Sequence, residues 1–339
     1  MKKVIKANSD LNNYKGKKVL ITGGLGFIGS NLAHKLVELG AEVTVIDNLA
    51  PLYGGNDFNI KDIKDKIKVI IGDIRDWQLI DKIVIDKDII FNLAAQVSYI
   101  DSINIPFEDL DINCKGHLTI LESCRKLNKN VKIVFSSSRL ALGKIIENPI
   151  TEEHPTNPLS LYGIHKLTAE KYCYFYYKNH NLKTTVLRIT NPYGKRQQIK
   201  HSKYSIPGWF MRLAMEGKTI SIFGKGTQKR DYIYIDDLVD AFLYAGISEK
   251  TNGQIYNCGS GKSIEFRKMV ENIVKLVGNG KVEYIPWPDN YEKDETADKI
   301  ETSIKKIYKD TGWKPKTELK NGLKEMFNYY KNNKDKYID

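Results

Sequence analysis

The sequence predicts an α/β fold, a doubly wound parallel sheet with a smaller C-terminal substrate-binding lobe. Three observations carry that expectation. Short β-branched runs alternate with longer amphipathic segments through the first half of the chain, the pattern of strands covered on both faces by crossover helices. A glycine-rich turn joins the first such run to the first amphipathic segment. From about residue 190 onward Pro- and Gly-rich loops interrupt the alternation, as expected of a lobe added to the sheet.

Taken in order, residues 17–22 (KKVLIT) read as a strand, 30–40 (SNLAHKLVELG) as a helix closed by Gly40, and 42–47 (EVTVID) as a strand. Residues 67–73, 88–94 and 131–137 continue the strand series, and 112–127 (INCKGHLTILESCRKL) reads as a helix. Each strand is too short and too apolar to alternate cleanly, which is the mark of a strand buried on both faces. In the second half, 184–190 (TTVLRIT) and 254–260 (QIYNCGS) still read as core strands, whereas NPYGKRQ (191–197) and FGKGTQKRDY (223–232) read as loops. One or two segments of this half are therefore expected to return to the main sheet.

Composition narrows the class. Hydrophobic residues make up 41% of the 339 and charged residues 28%, which is enough apolar material for a sizeable core. No apolar run approaches the ~20 residues of a membrane span, and the opening stretch lacks the apolar region of a secretory signal. The four cysteines, Cys114, Cys124, Cys173 and Cys258, are scattered. That spacing suits neither a metal site nor a disulfide framework, so a cytoplasmic location is expected and no metal. Lys and Arg number 53 against 41 Asp and Glu, a net charge of +12. The lysines are spread rather than blocked, so most read as a solvated surface; no nucleic-acid module accompanies them.

The first strand runs into Thr22-Gly23-Gly24-Leu25-Gly26-Phe27-Ile28-Gly29 and then a helix. In that context the glycines have separate roles in a dinucleotide site. Gly23 permits the tight turn, Gly26 lets a pyrophosphate approach the backbone, and Gly29 lets the helix pack closely. The helix N-terminus then offers free N–H groups to phosphate. Asp47 ends the second strand, at the offset of the acid that holds the adenosine ribose hydroxyls. A carboxylate there repels a 2′-phosphate, so NAD is expected as cofactor.

The strand at 131–137 leads into Ser136, Ser137 and Ser138, and Tyr162 and Lys166 follow downstream. Positions i and i+4 of a helix share a face. A phenol and an ammonium can thus point into one site, where a nearby cation lowers the phenol pKa and makes it a base for a sugar hydroxyl. Tyr174/Lys178 and Tyr330/Lys334 repeat the spacing but lack a serine-tipped strand upstream, and read as ordinary helix faces.

The motifs TGGLGFIG, VIDNL, GDIRD, NLAAQ, YGIHK, LRITNPYG, GTQKRDYIYIDD and TGWKP together resemble the extended short-chain dehydrogenase/reductase family of NAD-dependent nucleotide-sugar epimerases and dehydratases, including UDP-glucose 4-epimerases, over about residues 17–325. The resemblance implies a Rossmann-type NAD-binding domain over 1–190 with returning segments near 231–260, and a mainly sugar-nucleotide lobe over 191–339. It also implies the site. Gly23, Gly26, Phe27 and Ile28 line the pyrophosphate, Asp47 and Asn48 the adenosine ribose, and Asp73 and Ile74 the adenine. Leu93, Ala94, Ala95, Asn113 and Ser136 complete the cofactor set, with Tyr162 and Lys166. Ser138 meets the reacting sugar oxygen, Tyr162 is the base and Lys166 its partner. Asn191 and Arg230 hold the diphosphate, and Asp294 stands where the family often has a closing acid, although the arginine usual beside it is missing. The Asp236-Asp237 pair reads as a cap of the following helix.

Family 4,6-dehydratases carry an acidic pair just after the catalytic Ser/Thr, and here those positions are Arg139 and Leu140. The expected function is therefore a nucleotide-diphosphosugar epimerase, foremost a UDP-hexose 4-epimerase working by transient oxidation to a keto-sugar; the resemblance also implies a homodimer. The alternatives are a CDP-sugar 2-epimerase-like enzyme, a dehydratase or reductase of the same family, and, in another class, a non-enzymatic dinucleotide-binding sensor.

Overall fold

Val19 and Ile21 fall in one apolar cluster and Leu20 in another, so the first strand buries both faces, as a strand in the middle of a covered sheet must. The computed structural model describes residues 11–287 and 299–338. β1 (Lys18–Thr22), α1 (Phe27–Glu38), β2 (Glu42–Asp47), β3 (Lys68–Ile71), α2 (Trp77–Val84), β4 (Ile89–Asn92), α3 (His117–Leu127), β5 (Lys132–Ser138), α4 (Leu161–His180) and β6 (Lys183–Ile189) follow one another along the chain. The sheet has seven strands in the order β3-β2-β1-β4-β5-β6-β10, where β10 is Gln254–Cys258, and every pairing is parallel. Strand order reverses between β1 and β4, which opens a crevice at the carboxyl ends of those strands.

The two faces are covered by different helices. Leu32 and Leu36 of α1 pack beside Leu238, Phe242 and Leu243 of α6 (Ile235–Ile247) on one side. Ile80 and Val84 of α2, Ile120 and Leu121 of α3, and Ala169 and Cys173 of α4 close the other. Each of these leucines and isoleucines is 0–1% exposed, and each such burial contributes roughly 1.5–3 kcal/mol. The helix expected over 112–127 is in fact longer and irregular. Pro106–Leu110 is helical, Asp111–Gly116 forms a π turn, and α3 follows. A π turn carries an extra residue per turn and is often found at functional sites.

Beyond β6 the chain leaves the sheet. β7 (Asn191–Tyr193), β9 (Lys229–Tyr234) and β11 (Ser263–Glu265) form a three-stranded sheet, and β8 (Thr219–Phe223) pairs with β12 (Lys281–Ile285). α5 (Ile206–Met215) and α7 (Phe266–Val277) pack against each other here, and α8 (Leu319–Asn333) lies on α7. Between these pieces α6 and β10 return to the main sheet. Asp236 and Asp237 do not cap α6. They lie in its first turn, where Asp236 pairs with Lys195 at 3.1 Å and the Asp237 carboxylate accepts from the backbone N–H groups of Lys316 and Thr317 at 3.0 and 2.8 Å. The acid that looks like a cap anchors the TGWKP loop instead.

Candidate functional site

The turn after β1 is built as the glycines require. Gly23 has φ +68°, and a Cβ there would stand 3.0 Å from the Ala94 backbone. Gly26 begins α1 with no side-chain cap, so the first N–H groups of that helix are left for a ligand. Thr22 braces the turn from below, its hydroxyl donating to Asn92 Oδ1 and accepting from the Leu93 and Ala94 N–H groups, each at 3.0 Å. Asp47 accepts from the Leu25 N–H at 3.0 Å and the Leu49 N–H at 2.9 Å. Burial raises its pKa while these N–H groups oppose the rise. Asn48 donates to Asp73 at 2.9 Å. Although burial pushes the other way, Arg75 and Asn48 hold the Asp73 carboxyl down to about 2.

The catalytic candidates stand at the carboxyl end of β5 and on the first turns of α4. Ser160 caps α4 by accepting from the Gly163 N–H at 3.2 Å, which fixes where the helix begins and so where Tyr162 and Lys166 fall. Tyr162 is 8% exposed and Lys166 2%. Tyr162 and Ser138 line the same cavity. Lys166 Nζ donates to the Ser136 carbonyl at 3.1 Å and lies 5.8 Å from the Tyr162 ring centre. The expected lowering of the phenol pKa is reversed in this state. Burial raises it, the Asp109 charge adds to the rise, and only the Ser138 hydroxyl opposes it. Burial also brings Lys166 down to about 8, against the pull of Asp109.

One cavity of about 940 Å³ joins these groups, at the upper end of the roughly 300–1,000 Å³ of small-molecule sites. Gly23, Gly26, Phe27, Ile28, Asp47, Asn48, Asp73, Ile74, Leu93, Ala94 and Ala95 line one part of it, and Ser138, Tyr162, Asn191 and Arg230 line another. Three expected site residues stand behind the wall rather than on it. Lys166 reaches the site from under Tyr162. Ser136 is buried and offers its carbonyl to Lys166. Asn113, fully buried in the π turn, spends its amide on the Gln96 carbonyl and on Asp109 Oδ2, at 3.0 and 3.1 Å. These two therefore support the site through backbone and packing rather than by direct contact. Asp294 lies outside the described residues.

The sequence reading missed several lining residues: Tyr53, Tyr99, Lys203, Tyr204, Trp209, Phe210, Phe223, Tyr232, Phe266 and Trp287. Phe223 and Trp287 stack at 5.3 Å. Lys203 pairs with the buried Asp101 at 2.8 Å, and the Tyr204 hydroxyl donates to the Leu52 carbonyl at 2.6 Å, so residues 198–205 tie the lobe to the sheet domain. The aromatic residues spread through positions 204–287 are the available signal. Beneath the site, Asp109 is paired with His165 Nδ1, and Glu170 on α4 holds Arg188 on β6 at 2.7 Å.

The family described as GDP-mannose 4,6 dehydratase matches residues 20–326. The chain belongs to that family, within the extended short-chain dehydrogenase/reductases of nucleotide-sugar epimerases and dehydratases. A Methanocaldococcus jannaschii protein, provisionally named a UDP-glucose 4-epimerase, is 36% identical over 318 residues, covering 93% of this chain and 99% of its own. An epimerase of Methanothermobacter thermautotrophicus superposes with a TM-score of 0.89 at 27% identity, covering 98% of this chain and 97% of its own. The UDP-glucose 4-epimerase of Thermotoga maritima, solved with UDP-glucose, gives 0.84 at 31%, covering 93% and 99%. That of Thermus thermophilus was solved with NAD, with a TM-score of 0.82 at 29%, covering 93% and 99%. Relatives also include the CDP-paratose 2-epimerase of Salmonella typhi, at 28% identity over 92% of this chain and 98% of its own. Among the described residues no helix is long and apolar enough to cross a membrane, and no group of His, Cys, Asp and Glu could hold a metal ion.

Proposed function

We propose that this chain is an NAD-dependent nucleotide-diphosphohexose epimerase acting at C4 of a UDP-hexose. The observation that carries this reading is that Ser138 and Tyr162 share one cavity with the glycine turn and Arg230. NAD bound along that turn supplies a reversible acceptor for the hydride of a sugar carbon. The Tyr162 hydroxyl oxygen takes the proton of the sugar hydroxyl, and Ser138 holds that oxygen in place. Lys166, one helical turn on, keeps a positive charge near the phenol as the proton moves. Asn191 and Arg230 hold the diphosphate, a guanidinium fork being matched to phosphate oxygens. With the diphosphate held, the keto-sugar can turn within the cavity and be reduced on its other face.

Arg139 and Leu140 stand where the dehydratases of the family carry acids, so no carboxyl follows Ser138 to protonate a leaving hydroxyl. That favours epimerisation over water elimination. A CDP-sugar 2-epimerase is the second reading, supported by the Salmonella typhi relative. Incubation with UDP-glucose, UDP-galactose and CDP-hexoses, followed by product NMR, tests both. Interconversion of the two UDP-hexoses is expected, with loss of at least about 100-fold on Tyr162→Phe. No product from any of these, or full activity of the Tyr162→Phe protein, overturns the reading.

A homodimer belongs to the same proposal. Phe107 is 82% exposed and Ile103 63%, on helical segments packed beside α4, itself carrying Ile164 at 43%. Apolar groups gathered on neighbouring helices mark an interaction surface, and α4 pairing with its symmetry mate would bury them. A cytoplasmic setting is supported by the four buried free thiols.

A further inference from the structure

Arg139 is the first residue after β5, on the carboxyl edge of the sheet where ligands bind. Register shows what surrounds it. Ser138 stands opposite Ile189 across β5 and β6. The chain then continues through Thr190 to Asn191, which stands opposite Tyr232 across β7 and β9. Arg230 lies two residues before Tyr232 on the same strand. Arg139, Asn191, Arg230 and Tyr232 all line the one cavity.

Tyr232 is the telling member. It is 6% exposed, and its hydroxyl has no hydrogen-bond partner among the described residues. Buried hydroxyls are normally paired, and one left open on a cavity wall awaits a ligand. Burial raises its pKa, while the charges of Arg230 and Arg139, which line the same cavity, act to lower it. An unpaired hydroxyl on a cavity wall shared with two arginines suits an anion and repels a cation.

We propose that Arg139 is a second phosphate-binding arginine, holding the sugar-proximal phosphate of the nucleotide sugar with Arg230 and the Tyr232 hydroxyl. It rests on the reading of Asn191 and Arg230 as the diphosphate site. It supplies from the catalytic strand the guanidinium that the family often places near the C-terminal segment. Because Arg139 follows Ser138 directly, the anchor of the phosphate and the contact to the reacting sugar oxygen are set by one backbone turn. The sugar then pivots about a phosphate held next to its own catalytic serine.

Calorimetric titration of the NAD-loaded protein with the diphosphates UDP, CDP, dTDP and GDP, and with UMP and UDP-glucuronic acid, tests this, comparing wild type with Arg139→Ala and Arg139→Lys. Loss of one charge-assisted fork is expected to weaken the best-bound diphosphate about 10- to 100-fold in Arg139→Ala. UMP binding should move less than about threefold, and Arg139→Lys should recover part of the loss, as a point charge does. Bound NAD and melting temperature, unchanged, show that the variants are folded. Unchanged diphosphate affinity in a folded Arg139→Ala overturns the proposal. So does a loss confined to UDP-glucuronic acid with UDP unaffected, which would assign Arg139 to an acid on the sugar. Wild type that binds none of the four diphosphates overturns both this inference and the epimerase reading; wild type that binds while the variant is unaffected overturns this inference alone.

Discussion

Replacing Glu170 by Gln should destabilise the protein by about 3–5 kcal/mol, the cost of leaving a buried charge without its partner. The structure sets that magnitude. The Glu170 and Arg188 side chains are 0% and 4% exposed. Arg188 donates from Nε at 2.9 and 3.2 Å and from Nη2 at 2.7 Å, and Ser137 adds a hydroxyl at 2.5 Å. Arg188 Nη1 already lacks a partner among the described residues, so the pair has no spare acceptor to fall back on. Both Glu170 oxygens accept from the guanidinium, so the NH2 group of the Glu170→Gln variant would face an Arg188 N–H in either orientation, setting donor against donor. For a chain of this size the melting temperature should fall by roughly 4–7 °C, measured by differential scanning calorimetry with bound NAD held constant. The triple variant Ser137→Ala/Glu170→Met/Arg188→Met removes all three polar groups together and should lie within about 2 kcal/mol of wild type. A fall below about 2 °C for Glu170→Gln, or a triple variant as unstable as the single one, would refute the reasoning.

Gly29→Ala should cost the cofactor, since the added Cβ would stand 2.2 Å from the Gly23 carbonyl oxygen and 2.8 Å from Gly24 Cα. Overpacking of this kind costs about 1–3 kcal/mol and opens the phosphate turn, so extracted NAD measured by absorbance should drop several-fold. Activity should be lost on the alkaline side as pH rises through about 8, because burial brings Lys166 to that value and the ammonium is present only below it; a flat profile from pH 7 to 9 would count against its role. Asp109→Asn removes the anion that favours the Lys166 ammonium, and should move that alkaline limb to lower pH. Lys132, held by Thr251 and Asn252, is brought to about 7 by burial. Between that value and its unfolded pKa of about 10.4 the unfolded chain binds the extra proton, so stability from this group rises with pH above 7. The melting temperature of wild type relative to Lys132→Met should therefore increase from pH 7 to 9.

The strands that position the site were legible because each is a short β-branched run buried on two faces, and β1, β2 and β5 begin and end within a residue or so of their expected places. Asp47 and the glycine turn were legible because their spacing is local. Tyr162 and Lys166 share a helix, so one spacing rule placed both. What the sequence concealed depends on contacts between distant segments. Asp237 reads as a helix cap until Lys316 and Thr317, some 80 positions away, claim its carboxylate. Lys203 and Asp101 are 102 positions apart. Tyr232 sits in a motif read for its arginine, and only the pairing of its strand with Asn191 brings it to the cavity wall. The direction of the Tyr162 pKa depends on how completely the phenol is buried, and no motif states that.

Among the described residues the chain passes directly between a strand or helix of the main sheet layer and a strand of the lobe at Ile189–Asn191, at Tyr234–Ile235 and at Cys258–Ser263. Three short crossings act as parallel struts, in contrast to the single hinge that lets two domains swing. A jaw-like closure would have to bend all three at once, together with the Lys203–Asp101 and Tyr204–Leu52 ties. The slot between the two parts is therefore close to fixed in width. Any large reorientation during turnover has to occur in the bonds of the ligand rather than in the frame that holds it.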